Sequence, residues 1–355
     1  MPIVDLFGHE ELRERLASTV RAGRLPASLL LHGPRGVGKQ RLALWLGQML
    51  LCEAENAPCG ECRSCRYSRA LTHPDLHWYF PRPRLKDADA DIEDVRDDYR
   101  DVIVDRVTKH GLYAATPGNE GIFVATVRAI VHEAALAPAL GQRKVFVIGD
   151  AERMGIQEGS EFAANAFLKL LEEPSPKTHI IITSSEPGAL LPTIRSRTVA
   201  VRVPAMPEST VRAFLSDPVV SEELEITAKN LNEKVQQAGG APGTLIGDEA
   251  RSKAMAAARR ILEAAASRQA SQRHLATMSV GGAGARGSFT DILDALIVLL
   301  GERMRAALHD GNSDRALAVS RVSDMVGDAR IRASGNVNPQ LLVAGLMREL
   351  STALR

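Results

Sequence analysis

Apolar residues fall at helical spacing from residue 9 to 22, where Leu12, Leu16 and Val20 are separated by charged positions. The run Leu29-Leu30-Leu31-His32 follows, with the length and continuity of a buried strand, and Arg41 to Leu51 returns to helical spacing through Leu42, Trp45, Leu46, Met49 and Leu50. Residues 82–121 break the pattern. The acidic run Asp87-Ala88-Asp89-Ala90-Asp91-Ile92-Glu93-Asp94 lies there and predicts a solvated helical insertion or a loop. A helix is expected from Val124 to Ala137, a strand at Lys144-Val145-Phe146-Val147-Ile148, and an amphipathic helix from Ser160 to Glu173, stopped by Pro174. Further strands are expected at His179 to Thr183 and Val199 to Val203. Strands alternating with helices imply a parallel sheet covered on both faces, an α/β arrangement. After Pro207 the strand pattern stops. Small helices are expected over 208–247, ending in Gly239-Gly240-Ala241-Pro242-Gly243, and then an Ala-, Arg- and Leu-rich region that Gly281 to Gly287 divides into two helical blocks.

With 355 residues the chain is long enough for two or three domains. A formal net charge of +1 excludes a global basic field for nucleic acid, and 4% aromatic residues argue against a base-stacking surface. No run reaches the ~18 apolar residues that a membrane-spanning helix needs. The N-terminus Met1 to Asp5 lacks the basic and apolar regions of a secretory signal, so a cytoplasmic location is expected, where thiols stay reduced.

The reducing setting matters for Cys52, Cys59, Cys62 and Cys65, all within fourteen residues at C-x6-C-x2-C-x2-C spacing. Four thiolates so placed match a tetrahedral structural Zn²⁺ site with no open coordination position. Such a site staples a loop and commonly contributes ~10–16 kcal/mol of apparent binding energy to local folding.

The segment Gly33-Pro34-Arg35-Gly36-Val37-Gly38-Lys39-Gln40 lies between an expected strand and an expected helix. It fits the phosphate-binding pattern Gly, four residues, Gly-Lys, then Ser or Thr, except at Gln40. Gly33, Gly36 and Gly38 let backbone N–H groups close around phosphates and Lys39 adds charge, but the hydroxyl that would hold Mg²⁺ is missing. The second nucleotide element is expected at the end of the strand Lys144 to Ile148. There Gly149 takes the place of the Asp that usually holds Mg²⁺, with Asp150 one position later. Thr183-Ser184-Ser185 marks either a phosphate-sensing strand tip or a capped turn. Arg195-Ser196-Arg197-Thr198 is either surface charge or a source of an arginine that reaches a neighbouring subunit.

Several stretches together carry a family resemblance: Ala27 to Lys39; the cysteine module with Thr72-His73-Pro74-Asp75 behind it; Asn165-Ala166-Phe167-Leu168-Lys169-Leu170-Leu171-Glu172-Glu173-Pro174; and Pro192-Thr193-Ile194-Arg195-Ser196-Arg197. They resemble the delta-prime family of bacterial DNA polymerase III clamp-loader subunits, which are AAA+ proteins. The resemblance covers residues 5–247 well and the last hundred by position and helical character. It implies an AAA+ α/β P-loop domain over 1–205, a helical lid over 206–248 and an all-α collar domain over 249–355.

It also implies a hetero-oligomeric ring with gamma/tau and delta subunits that loads the sliding clamp onto primer-template DNA. Arg197 would be the finger given in trans to a neighbouring ATP site, although the family pattern ends in Ser-Arg-Cys and Thr198 stands here. The chain's own loop is expected to bind ATP or ADP weakly or not at all, through Gly33, Gly36, Gly38, Lys39, Asp150 and Thr183. Two other readings stand beside this one: a gamma/tau-type subunit that hydrolyses ATP itself, and a zinc-bearing DNA-binding module on a vestigial AAA+ core.

Overall fold

The computed structural model describes residues 3–85, 90–114, 120–154, 160–267, 269–280, 286–333 and 337–353. The chain divides into two compact units, meeting in sequence near Ile246 and Gly247.

The first unit is built on a five-stranded parallel sheet. Its strands are β1 (Ser28–His32), β2 (Leu76–Tyr79), β3 (Lys144–Ile148), β4 (Thr178–Ser184) and β5 (Val199–Arg202), in the order β2-β3-β4-β1-β5. Interior strand β1 pairs Leu30 with Ile182 of β4 on one side and Ala200 of β5 on the other, while Trp78 of β2 pairs with Val147 of β3. The continuous apolar runs of β1, β3 and β4 are almost entirely buried, as befits parallel strands with helices on both faces. Edge strand β5 is mostly exposed, and Val199 is 50% accessible.

Helices α1 (Glu10–Arg21), α2 (Lys39–Leu51), α3 (Arg63–Arg69), α4 (Ile92–Thr108), α5 (Val124–Ala135), α6 (Ser160–Glu172) and α7 (Pro192–Arg195) complete the α/β part. Helix α1 starts with Glu10 and Glu11 and ends with Arg21, charges that suit the helix dipole.

Helix α4 departs from the solvated insertion expected over 82–121. Residues 86–89, which hold the front of the acidic run, lie outside the described residues. Its end, Asp91, caps the helix: its carboxylate accepts from the N–H groups of Glu93 (2.8 Å) and Asp94 (2.9 Å), and Asp94 accepts from Asp91 N–H (3.1 Å). One face of α4 is buried through Val95, Tyr99 and Arg106. Tyr99 packs edge-on against Tyr79 and Phe80 and donates to the Phe80 carbonyl, and Arg82 forms a two-point ion pair with Asp98 at 2.8 Å. Strand β2 is the other reading the sequence pattern missed, because Leu76-His77-Trp78-Tyr79 is short and carries a histidine.

Three further helices, α8 (Glu208–Leu215), α9 (Pro218–Glu223) and α10 (Leu231–Ala238), belong to the first unit but enclose a separate small core of Met206, Val211, Leu215, Val220, Val235 and Leu245. Leu112, just beyond α4, joins that core.

The second unit contains α11 (Asp248–Ala266), α12 (Ala270–Met278), α13 (Arg286–His309), α14 (Ser313–Ala333) and α15 (Pro339–Ala353) around Ile261, Leu293, Leu296, Leu300, Val326 and Leu350. This replaces the two blocks expected from the glycine run. Residues 281–285 lie outside the described residues, and the chain also leaves helix at Ser267 and at Asp310 to Asn312.

Candidate nucleotide and metal sites

Strand β1 leads into the glycine loop, and α2 begins at Lys39. Gly36 and Gly38 hold φ of 82° and 88°, a region that favours glycine. Lys39 is 6% exposed, and its ammonium donates to the carbonyls of Gly33 (2.9 Å) and Pro34 (2.8 Å) and to Ser185 Oγ (2.9 Å). Burial lowers its pKa, opposed by the nearby charges of Asp150 and Glu152. The Gly36 carbonyl accepts from Gly243 N–H at 2.9 Å, so the short turn Pro242–Leu245 rests on the loop.

Gln40 and Gly149 face each other. A Cβ built on Gly149 would lie 2.5 Å from Gln40 Oε1, a distance that real Cβ contacts do not reach. Gln40 is held by three hydrogen bonds: its amide nitrogen donates to Asp150 Oδ2 (3.1 Å), and its Oε1 accepts from Trp78 Nε1 (3.0 Å) and Tyr113 OH (3.3 Å). The positions that would supply a hydroxyl and a carboxylate to Mg²⁺ therefore enclose a carboxamide instead. A divalent cation does not fit this donor set: the usual hydroxyl and carboxylate are absent, and of the two acids nearby Asp150 accepts from the Gln40 amide and Glu152 from the Ser185 N–H.

Asp150 adopts a left-handed backbone (φ 46°), and its N–H donates to Thr183 Oγ1 at 3.2 Å. Thr183 is fully buried and thus braces Asp150, while Ser185, two residues on, is the strand-tip hydroxyl that meets Lys39. Glu152 accepts from Ser185 N–H at 3.0 Å, and burial, then the neighbouring Asp150, raises its pKa. Sequence reasoning had no signal for Ser185 over Thr183, since Thr183 lies inside β4 and Ser185 just past its end, and only the path of the chain there brings Ser185 to Lys39.

Arg197 follows α7. Its Nε donates to Glu172 Oε1 (2.7 Å) at the end of α6, a second guanidinium nitrogen bonds the same carboxylate, and Nη1 donates to the Thr193 carbonyl (2.9 Å). The side chain remains 31% exposed.

The four cysteines converge, with all Sγ atoms within 4.8 Å of one another. Cys52 lies 3.6 Å from Cys59 and 3.9 Å from Cys62, and Cys59 lies 3.9 Å from Cys65. Thiolates bound at about 2.3 Å to the centre of a tetrahedron stand about 3.8 Å apart, so the set fits Zn²⁺. Backbone N–H groups of Cys59, Cys62 and Cys65 point at the preceding cysteine sulfurs at 3.3–3.5 Å. The N–H groups of Cys62 and Glu61 pull the Cys59 pKa down to about 6, while burial pushes Cys65 up to about 12. Behind this loop, Asp75 accepts from the N–H groups of Ala139 (2.6 Å), Leu140 (2.8 Å) and Gly141 (2.9 Å), tying the Thr-His-Pro-Asp stretch to the start of β3.

Arg106 also escaped the sequence. It is 6% exposed, with its guanidinium carbon 3.3 Å from the Phe80 ring centre, 3.8 Å from Tyr113 and 4.6 Å from Trp78. Two of these rings also bond Gln40, so the insertion reaches the loop.

A parallel sheet of order β2-β3-β4-β1-β5, with a phosphate loop after β1 and helices on both faces, defines an AAA+ α/β domain. The sequence profile of the family described as "DNA polymerase III, delta subunit" matches residues 8–207, more than half of the chain. The chain belongs to that family. Among its relatives, DNA polymerase III subunit delta' of Pseudomonas aeruginosa is 33% identical over 217 residues, covering 61% of this chain and 53% of the relative. The subunit delta' of Escherichia coli is 28% identical, covering 66% and 57%. The DNA polymerase III subunit tau of the same organism is 28% identical, covering 62% and 28%. The chain thus matches little more than half the length of its delta' relatives. A gamma subunit-related protein of Thermotoga maritima, solved as a crystal structure, aligns with 96% of this chain and 100% of its own at 17% identity and a TM-score of 0.40.

Proposed function

We propose that this chain is a delta-prime-type subunit of a DNA polymerase III clamp loader, a partner of ATP hydrolysis rather than its engine. In this reading it completes a ring with gamma/tau and delta subunits that opens the sliding clamp and places it on primer-template DNA. Arg197 enters the ATP site of an adjacent gamma/tau subunit and stabilises phosphoryl-transfer charge, a device worth ~10³–10⁵ in rate where it operates. The cysteine module holds a structural Zn²⁺. The observation that carries the reading is the Gln40 carboxamide packed against Gly149 where the metal ligands of an ATPase belong.

Reconstitution with gamma/tau and delta subunits tests it. Arg197→Ala should leave assembly intact and cut DNA- and clamp-stimulated ATPase of the complex; unchanged turnover would remove the finger assignment. A gamma/tau-type ATPase is the second reading, favoured by the intact Lys39. Magnesium-dependent turnover by the isolated chain, abolished by Lys39→Ala, would establish that reading instead.

A further inference from the structure

Two cations are buried beside the phosphate loop without a carboxylate bonded to them among the described residues. Lys39 reaches only neutral acceptors, the Gly33 and Pro34 carbonyls and Ser185 Oγ. Arg106 is enclosed by Phe80, Tyr113 and Trp78, and its Nη1 is buried with no hydrogen-bond partner. Buried charge is normally paired, so this concentration of positive charge calls for an anion. Aromatic faces offset part of the cost of the guanidinium but leave its charge in place. Asp150, whose carboxylate accepts from the Gln40 amide, lies near both cations and offsets part of their charge, while burial, then Asp150, raises the pKa of Glu152.

A phosphate loop with Mg²⁺ neutralises its ligand partly through the ion. Here the ion's position is filled. Gln40 is fixed by Trp78, Tyr113 and Asp150 and fills the space that a side chain at Gly149 would need. Tyr113 and Arg106 both come from the insertion, so the segment that closes the metal position also brings the replacement charge.

We propose that the loop takes up a nucleoside di- or triphosphate without a divalent cation, the Gln40 amide standing in the metal's place and Lys39 and Arg106 supplying the positive charge. The proposal rests on the reading of this chain as a non-hydrolysing subunit and adds a ligand and a mode of binding to it. Lys39 would exchange its loop carbonyls for phosphate oxygens. Arg106 would act through space from behind the Trp78–Tyr113 pair, as a positioning charge rather than a contact.

Calorimetric titration of the full chain with ADP and with ATP, in excess EDTA and in excess Mg²⁺, decides it. The expected result is saturable binding in EDTA that Mg²⁺ does not strengthen. Lys39→Ala should abolish it. Arg106→Gln should weaken it roughly tenfold, the scale of one unscreened charge at a buried site, and Arg106→Lys should restore most of the loss. In the double variant Gln40→Thr with Gly149→Asp, Mg²⁺ should strengthen binding at least about tenfold, because the ion regains its hydroxyl and carboxylate. Wild-type chain that binds nucleotide only with Mg²⁺, or that binds neither nucleotide at millimolar concentration in either buffer, overturns the proposal. Neither result touches the role of Arg197, which is read from ATPase of the reconstituted complex.

Discussion

Gln40 looks like a defect in the sequence and proves to be one half of an interlock. Its carboxamide satisfies an indole N–H, a phenol O–H and a carboxylate, and it fills the space that a side chain at 149 would need. The dependence is measurable. Gly149→Ala should cost about 1–3 kcal/mol in denaturant unfolding, since Gln40 must leave its partners or the strand end must move. In a Gln40→Ala background the same substitution should cost little, giving a coupling of roughly 0.5–3 kcal/mol between the two sites. Additive effects would show that the residues do not share one space. The loop itself was legible because glycine spacing and flanking apolar runs are local signals. Ser185 and Arg106 were not, because their roles depend on the path of the chain past β4 and on rings contributed from distant segments.

Among elements, the cysteine loop and the insertion illustrate opposite cases. Cysteine spacing announces a tetrahedral cluster before any fold is known, and the sulfur separations agree with it. Metal removal by a strong chelator should unfold residues 52–70 locally, visible as faster amide exchange there, while exchange in β1, β3 and β4 stays slow; uniform loss of protection would contradict a local staple. The insertion hid its buried face because Ile92, Val95, Tyr99 and Val102, though at helical spacing, are separated by acidic residues, and because Arg106 on the same face reads as surface charge.

Strand β2 hid behind its histidine. His77 stacks on Phe146 at 4.7 Å between ring centres, and burial pulls its pKa from 6.5 down to about 4. The folded protein thus holds the ring neutral while the unfolded chain accepts a proton below about pH 6.5. This contribution to stability is complete above that pH and drains away as pH falls towards 4. His77→Phe should flatten the decline in unfolding free energy over that window, as measured by urea titration at several pH values; an unaltered slope would mean that other groups govern it.

At the scale of the molecule, the first of two units with separate cores carries Arg197, the arginine proposed to serve a neighbouring subunit. Arg197 rests on Glu172, whose side chain is 46% exposed. Exposed ion pairs of this kind are worth about 0–1 kcal/mol. Releasing the arginine to a neighbour's phosphate is therefore inexpensive, and Arg197→Ala should change the stability of the isolated chain by no more than about 1 kcal/mol while its effect on the assembled ATPase is large. A large drop in stability would instead mark Arg197 as a structural residue. Family membership was legible from short motifs over the first two-thirds of the chain. The helical second unit was legible only as helix, since Ala- and Leu-rich periodicity says where a face is buried and not what it packs against.

The fit between Gln40 and Gly149 also constrains the history of the loop. Glycine at 149 tolerates a small hydroxyl or a carboxamide at position 40, whereas an aspartate there would collide with the carboxamide. Single steps can therefore run in only one order, with glycine first. Going back is harder still: a carboxylate restored alone meets the amide, and a hydroxyl restored alone strands the Trp78 N–H at a cost of roughly 1–3 kcal/mol. The pair acts as a ratchet: no one substitution at either position restores both the hydroxyl and the carboxylate of a metal site.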